Sequence, residues 1–292
     1  MLYRLKMLIY SVLGQKNADN IFIWRMLKKC NKDIRNQLKL NLRYKDTHIG
    51  ERCFILGNGP SLKDVDFSLI SKEFVFTVNN FSLVENYKKV KTNVHLWADL
   101  SFFELREDQK YNHDDLMKYY IKISEENPIC FMPVQAYDFV NRNRLNEILN
   151  INYFNYFSSF KSCDRFQFDL AKTLSSYSTV VQYAISIAIY MGFKEIYLLG
   201  CDSTNVVSMI NAAMNIKSEG MHAYKNDDVN ERYQELLKQW SMADVFYDQY
   251  LLFEGYKTLK KECDNRGIKL VNCSTKTLIN ELPRADLLSI LS

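Results

Sequence analysis

A short apolar run, Cys53-Phe54-Ile55-Leu56, stops at Gly57-Asn58-Gly59-Pro60-Ser61-Leu62-Lys63. Two glycines one residue apart permit a tight turn and let backbone N–H groups approach an anion closely. Pro60 suits the first position of a helix, where no N–H is needed. A helix N-terminus aimed at a ligand favours phosphate. The spacing is not the dinucleotide-binding G-x-G-x-x-G, because Leu62 stands where the third glycine would, and it is not a P-loop. Gly57 to Ser61 therefore reads as a phosphate-binding turn, with a plain strand-to-helix connection as the alternative.

Four histidines could move a proton: His48, His95, His113 and His222. His95 lies inside an apolar run and reads as core, while His48 and His113 lie in polar stretches and read as surface. His222, in Gly220-Met221-His222-Ala223-Tyr224, falls in a long connection after a strand end, where catalytic side chains and lids tend to sit. Its ordinary pKa suits it to take a proton from a substrate hydroxyl. Tyr224 either donates to a leaving phosphate or packs, and a solvated loop histidine is the alternative for His222.

These residues need elements to hold them. Five further runs behave like the first: Phe74–Val78 before Asn79-Asn80, Val94–Trp97 before Ala98-Asp99, Ile129–Met132 before Pro133, Glu195–Leu199 before Gly200-Cys201-Asp202, and Ile268–Val271 before Asn272. Short apolar runs bounded by turn residues read as strands buried on both faces. Between them, Ser178 to Met191 reads as a helix capped by Ser178 or Thr179, with a stripe of Val181, Ala184, Ile185, Ala188 and Ile189 and Gly192 at its end. Residues 229–265 read as a long helical region broken near Gly255. The alternation predicts an α/β chain: a Rossmann-like, mainly parallel sheet with helices on both faces and an N-terminal helical extension. In such sheets ligands bind beyond the carboxyl ends of the strands. Gly57 to Ser61, Asn79, Asn80, Asp99, Gly200, Asp202 and Asn272 all fall there, although Gly, Asn and Asp also favour ordinary turns.

The chain has 292 residues, 47% of them hydrophobic, with only 9 Gly and 4 Pro against 19 Tyr and 18 Phe, which excludes a disordered chain and an all-β repeat. None of its seven cysteines has C-x-x-C spacing, so neither zinc nor a disulfide framework is indicated, and no metal ligand is assigned. Reduced, buried thiols in a cytoplasmic protein are expected. The net charge is +4, yet residues 1–45 hold eleven Lys and Arg against two Asp, a net of +9, which leaves −5 for the rest. Leu2, Leu5, Leu8, Ile9, Val12 and Leu13 recur there at helical spacing, followed by Ile21, Phe22, Ile23, Trp24 and Leu27. Residues 1–48 thus read as a basic amphipathic extension, too short and too charged to span a bilayer. It fits peripheral contact with the inner face of the plasma membrane, or packing on the body or on a second copy in a homo-oligomer. The acidic remainder argues against a nucleic-acid partner. Residues 49–292 form the nucleotide-binding domain, with a lid segment around 203–228.

From about residue 50 to 290 the sequence resembles the bacterial sialyltransferases of glycosyltransferase family 42 and the related pterin-pyrophosphokinase-like proteins of polysaccharide and flagellin-glycosylation loci. The resemblance rests on the first strand with Gly57 to Lys63, on Thr77-Val78-Asn79-Asn80-Phe81, on Ala188 to Asp202, and on Ile268 to Leu282 with Cys273-Ser274. It implies an inverting glycosyltransferase. The donor would be a CMP-activated, sialic-acid-like sugar, used as substrate with no further cofactor. The acceptor would be a surface glycan or lipid-linked oligosaccharide. The resemblance sets Gly57 to Ser61 and Asn79 around the CMP and makes His222 the general base. Asn272 and Ser274 lie in a matching stretch, Thr179 stands where the pattern has the Thr of Thr-Ser-Gly, and all three join the candidate set. Three positions depart from the pattern: Ala98 stands in place of a second Asn, with Asp99 after it. Tyr177 and Thr179-Val180-Val181 replace an Arg and a Thr-Ser-Gly. Ser203-Thr204-Asn205 replaces a pair of Tyr. An acidic residue at 99 is more typical of the pyrophosphokinase-like branch, in which Asp99 and Asp202 would hold Mg²⁺ for ATP. A non-catalytic nucleotide-binding relative is the third reading.

Overall fold

The computed structural model describes residues 2–105, 111–161, 166–216, 222–224 and 240–292. All six apolar runs are strands, and a seventh, unanticipated one joins them. In chain order these are β1 (Arg52–Leu56), β2 (Phe74–Val78), β3 (Val94–Leu96), β4 (Ile129–Pro133) and β5 (Asn150–Phe154). After a small accessory sheet come β9 (Glu195–Leu199) and β10 (Lys269–Asn272). The seven pair in the order β10-β9-β1-β2-β3-β4-β5, every pairing parallel. Successive strand residues point to opposite faces. Cys53 and Ile55 of β1 accordingly enter one core, while Phe54 and Leu56 enter the other. Burial on both faces is why these strands read as unbroken apolar runs.

Helices cover both faces, so the fold is α/β and Rossmann-like. On one face lie α5 (Val180–Met191) and α7 (Met242–Asn265). On the other lie α3 (His113–Ser124), α4 (Tyr137–Arg142), the short C-terminal α8 (Leu287–Leu291) and several 3₁₀ turns. The anticipated apolar stripe of α5 is corrected. Every residue from Val180 to Met191 is buried, because α5 packs on β1 and β2 on one side and on α7 and β7 (Phe168–Asp169) on the other. Gly192 ends the helix as expected, at φ 97°. Its start is Thr179, which occupies the N-cap without a side-chain capping bond, contrary to expectation. The break near Gly255 is also corrected: α7 runs straight through this buried glycine. The part of that region before Trp240 lies outside the described residues.

The accessory sheet orders β6 (Tyr156–Lys161), β8 (Thr173–Ser176) and β7, with β6 parallel and β7 antiparallel to β8. The segment expected as a lid opens with α6 (Asn205–Ala213), and its residues 217–221 and 225–228 are outside the described set. At the N-terminus, α1 (Leu2–Lys29) is broken at Gly14 (φ 70°, ψ 160°) and followed by α2 (Lys32–Leu40). The extension is tied to the body: Asn41 donates to the carbonyls of Tyr153 (2.7 Å) and Leu170 (3.0 Å). Val12 and Trp24 remain largely exposed, with the Lys28 ammonium 3.9 Å over the Trp24 ring. The side chains from Leu2 to Ile9 are outside the described set. Among the described residues no helix is long and apolar enough to cross a membrane. Cys53, Cys130, Cys201, Cys263 and Cys273 are buried free thiols and Cys30 is half-buried; Cys163 is not among the described residues.

Candidate functional site

A cavity of about 300 Å³ opens at the carboxyl ends of β1, β2, β3 and β9. It gathers Gly57, Asn58, Gly59, Asn79, Asn80, Asp99, Thr179, Gly200, Asp202, His222 and Tyr224 from the sequence-derived set. Pro60, Ser61, Asn272 and Ser274 are not on its wall. Two of these brace the β9 turn from behind. Asn272 is wholly buried and donates to the Cys201 carbonyl (3.2 Å), and the Ser274 hydroxyl accepts from the Cys201 N–H (2.8 Å).

The glycine turn serves a different purpose from the one its spacing suggests. The N–H of Gly57 donates to the Leu199 carbonyl and that of Gly59 to the Gly200 carbonyl, both at 2.8 Å. The Ser61 N–H donates to the Asp202 carboxylate at 2.8 Å, and the Ser61 hydroxyl donates to its other oxygen. Three amides read as free to meet phosphate are thus used within the protein. A Cβ on Gly57 would sit 2.3 Å from the Gly200 carbonyl oxygen, and one on Gly59 2.5 Å from Cγ of Asp202. The glycines let the β1 and β9 turns touch. Gly59 leads into a single 3₁₀ turn, Pro60–Asp64, and not the anticipated α-helix. Two α-helical N-termini meet the cavity: that of α5, where Val180 and Val181 line the wall, and that of α6, at Thr204 and Asn205.

Beside this clasp lies a corner with free capacity. Asn79 and Asn80 come directly after β2, and the Asn58 amide donates to the Val78 carbonyl at 2.9 Å. Asn80 donates to the hydroxyls of Tyr111 (2.7 Å) and Tyr224 (3.4 Å). The amide oxygens of Asn58, Asn79 and Asn80 are buried and have no partner. Buried acceptors are nearly always satisfied, so three unpaired ones on residues that line one cavity leave hydrogen-bonding capacity for N–H and O–H donors beside it. His222 stacks on Tyr224 with ring centroids 4.8 Å apart at 11°. Between them, the N–H of buried Ala223 donates to the Asn58 carbonyl at 2.8 Å, anchoring the pair on the β1 turn.

His95 is core, as expected, but not inert. It is wholly buried, with ring contacts to Trp97, and burial depresses its pKa to about 3. His48 lies against Phe193 and Phe74, more packed than a surface residue, while His113 pairs with Glu104 at 2.8 Å.

Burial also raises the carboxyl of Asp202, against the pull of Ser61. The oxygens of Asp202 face Ser61, and Asp99 accepts from the Ser101 N–H at 3.0 Å. Among the described residues no group of three or more His, Cys, Asp or Glu is arranged to hold a metal. Burial pushes the Cys201 thiol well up, so it supplies no thiolate nucleophile. Asp248 of α7 was not foreseen. It lines the cavity with Leu252 and Tyr256, and desolvation raises its carboxyl. The four-residue spacing of 248, 252 and 256 was the available signal, obscured because one helical face carries both core and site.

No family profile matches the chain, and no curated protein matches it. Among solved structures, it is similar to the sialyltransferase CstII from Campylobacter jejuni, studied with a substrate analogue, cytidine-5′-monophosphate. Identity there is 20%, coverage 81% of this chain and 86% of that one, and the TM-score 0.44. It is also similar to the MAf glycosyltransferase from Magnetospirillum magneticum AMB-1, at 15% identity and a TM-score of 0.43, covering 86% of this chain and 38% of that one.

Proposed function

We propose that this chain is an inverting glycosyltransferase that moves a CMP-activated, sialic-acid-like sugar onto a surface-glycan acceptor. The observation that carries the reading is the His222–Tyr224 stack, anchored through Ala223 on the β1 turn and sharing one cavity with unpaired amide oxygens. The amide oxygens of Asn58, Asn79 and Asn80 accept from the ribose hydroxyls and the base amino group. The N-terminus of α5 takes the negative charge of the donor. His222 removes the acceptor hydroxyl proton as that oxygen attacks the anomeric carbon. The bond from that carbon to the phosphate oxygen breaks, and CMP leaves with the bonding pair, stabilised by the helix terminus and the Tyr224 hydroxyl. Exposed Trp24 and its partner Lys28 support peripheral membrane contact by residues 1–45, suited to a lipid-linked acceptor.

The test is thermal unfolding with CMP, UMP, AMP, ATP and GDP, each with and without Mg²⁺. A ligand at a hundred times its Kd stabilises by about 2.7 kcal/mol, a rise of several degrees. A metal-independent rise with CMP is expected. A rise only with ATP and Mg²⁺ overturns the reading for the pyrophosphokinase one, and no rise at all overturns it for a non-catalytic relative. With a CMP-sugar in hand, His222→Ala should lower turnover by about 10²–10⁴-fold, and undiminished turnover would remove His222 from the mechanism.

A further inference from the structure

Asn79 lines the cavity, its amide oxygen is buried without a partner, and its backbone takes a left-handed turn at φ 48°, which Asn adopts more readily than most non-glycine residues. Two bonds hold it there. Its N–H donates to the Leu96 carbonyl at 2.8 Å, and its carbonyl accepts from Nε2 of His95 at 3.1 Å. A carbonyl only accepts, so Nε2 carries the ring proton. Nδ1 of the neutral ring is then an acceptor, and the hydroxyl that meets it, 2.7 Å away, is that of Thr77. Thr77 and His95 are register partners on β2 and β3, both wholly buried. The Asn79 carbonyl thereby fixes the tautomer, and the Thr77 hydroxyl donates to the ring nitrogen left without a proton.

We propose that His95 is a positioning residue for nucleotide binding: the relay Thr77–His95–Asn79 holds the Asn79 backbone in its left-handed turn and so aims the Asn79 amide into the cavity. The proposal rests on the nucleotide reading of that cavity. His95 touches no ligand and acts through Asn79 alone. Burial keeps the ring neutral at physiological pH, which preserves its acceptor nitrogen for Thr77.

A double-mutant cycle separates this role from a merely structural one. CMP affinity is measured by calorimetry on the full chain for Asn79→Ala, His95→Gln and the double variant. Each single change should weaken CMP about tenfold, and the double should be no weaker than Asn79→Ala alone. With the donor sugar, the loss should appear in KM more than in kcat. Unchanged affinity in His95→Gln, or effects that multiply in the double variant, would overturn the proposal. Thr77→Val is the milder companion if His95→Gln folds poorly. It keeps the ring and leaves its buried Nδ1 without a donor, with an expected loss of about threefold that vanishes in the Asn79→Ala background. Should the wild type bind no nucleotide, the functional reading falls, and the relay is still read from the exchange of the Asn79 amide hydrogen. That exchange should quicken about tenfold in Thr77→Val, and unchanged protection overturns the relay.

Discussion

Two turns at the same sheet edge behave in opposite ways. The clasp between the β1 and β9 turns carries the motif that looks most like a ligand site, yet the N–H groups of Gly57, Gly59 and Ser61 donate to Leu199, Gly200 and Asp202, and its unpaired group is the side-chain oxygen of Asn58. The β2 corner at Asn79-Asn80 carries no glycine, yet it holds amide oxygens with no partner. Glycine spacing alone does not distinguish a backbone that must approach a ligand from one that must approach another backbone. The partners of the amides do.

The sharpest way to separate the two regions is acid titration, because their buried ionisable groups respond with opposite sign. His95 titrates at about 3 when folded against its ordinary 6.5, so the unfolded chain binds the extra proton between those values. Stability should therefore rise with pH across that window and be lost on acidification, by an amount on the order of 4 kcal/mol over the full window. Denaturant midpoints for wild type and His95→Gln from pH 7 downward isolate the contribution, and identical slopes would show the imidazole is not held neutral. Asp202 is raised above 3.8, so the folded state holds the proton longer and stability falls as pH climbs from that value. Asp202→Asn should remove that downward slope.

Gly57→Ala tests the clasp by contact alone. With a Cβ 2.3 Å from the Gly200 oxygen, two backbones must part, and a loss of about 3 kcal/mol is expected in urea unfolding. A loss below about 0.5 kcal/mol, the size of an ordinary surface change, would mean the turns are not in contact. Asp202→Asn at neutral pH should cost about 1–3 kcal/mol, because an amide cannot accept from both the Ser61 N–H and its hydroxyl through two oxygens. The smallest change in stability should come from the corner. Asn79→Gly suits φ 48° and removes only the side chain, so stability should move by less than about 0.5 kcal/mol while the CMP-induced rise in Tm shrinks. A large loss of stability in that variant would make the corner as structural as the clasp.

Much of the fold was legible because strands buried on both faces write themselves as apolar runs. β5 escaped because Asn150 and Asn152 interrupt it. Asn152 is nonetheless buried, satisfied by Arg43 and the Tyr44 hydroxyl from the N-terminal segment, far away in sequence. The wholly buried α5 has no polar face for a periodicity to reveal, and Gly255 is a buried position inside α7, the helix that packs on α5. In the site, strand-end positions were legible and roles were not. Whether Ser61 or Ser274 meets ligand or protein depends on which turn arrives from elsewhere in the chain. The pairing of Thr77 with His95 depends on the β2–β3 register, which no local pattern records.

The central strand also sets an order of assembly. β1 finds β2 soon after it is made, but its other neighbour is β9, and Ser61 meets Asp202 across a separation of 141 residues. Closing so long a loop is entropically costly and slow. On a ribosome, the first half of the sheet must wait with one flank of β1 unpaired until Glu195 to Leu199 emerge. Before then the clasp has no second turn to meet and the cavity lacks the wall from Gly200 to Asn205. The nascent chain therefore cannot hold its ligand until well over half of it has been synthesised, and the exposed edge of β1 is the place where a holding chaperone would be needed.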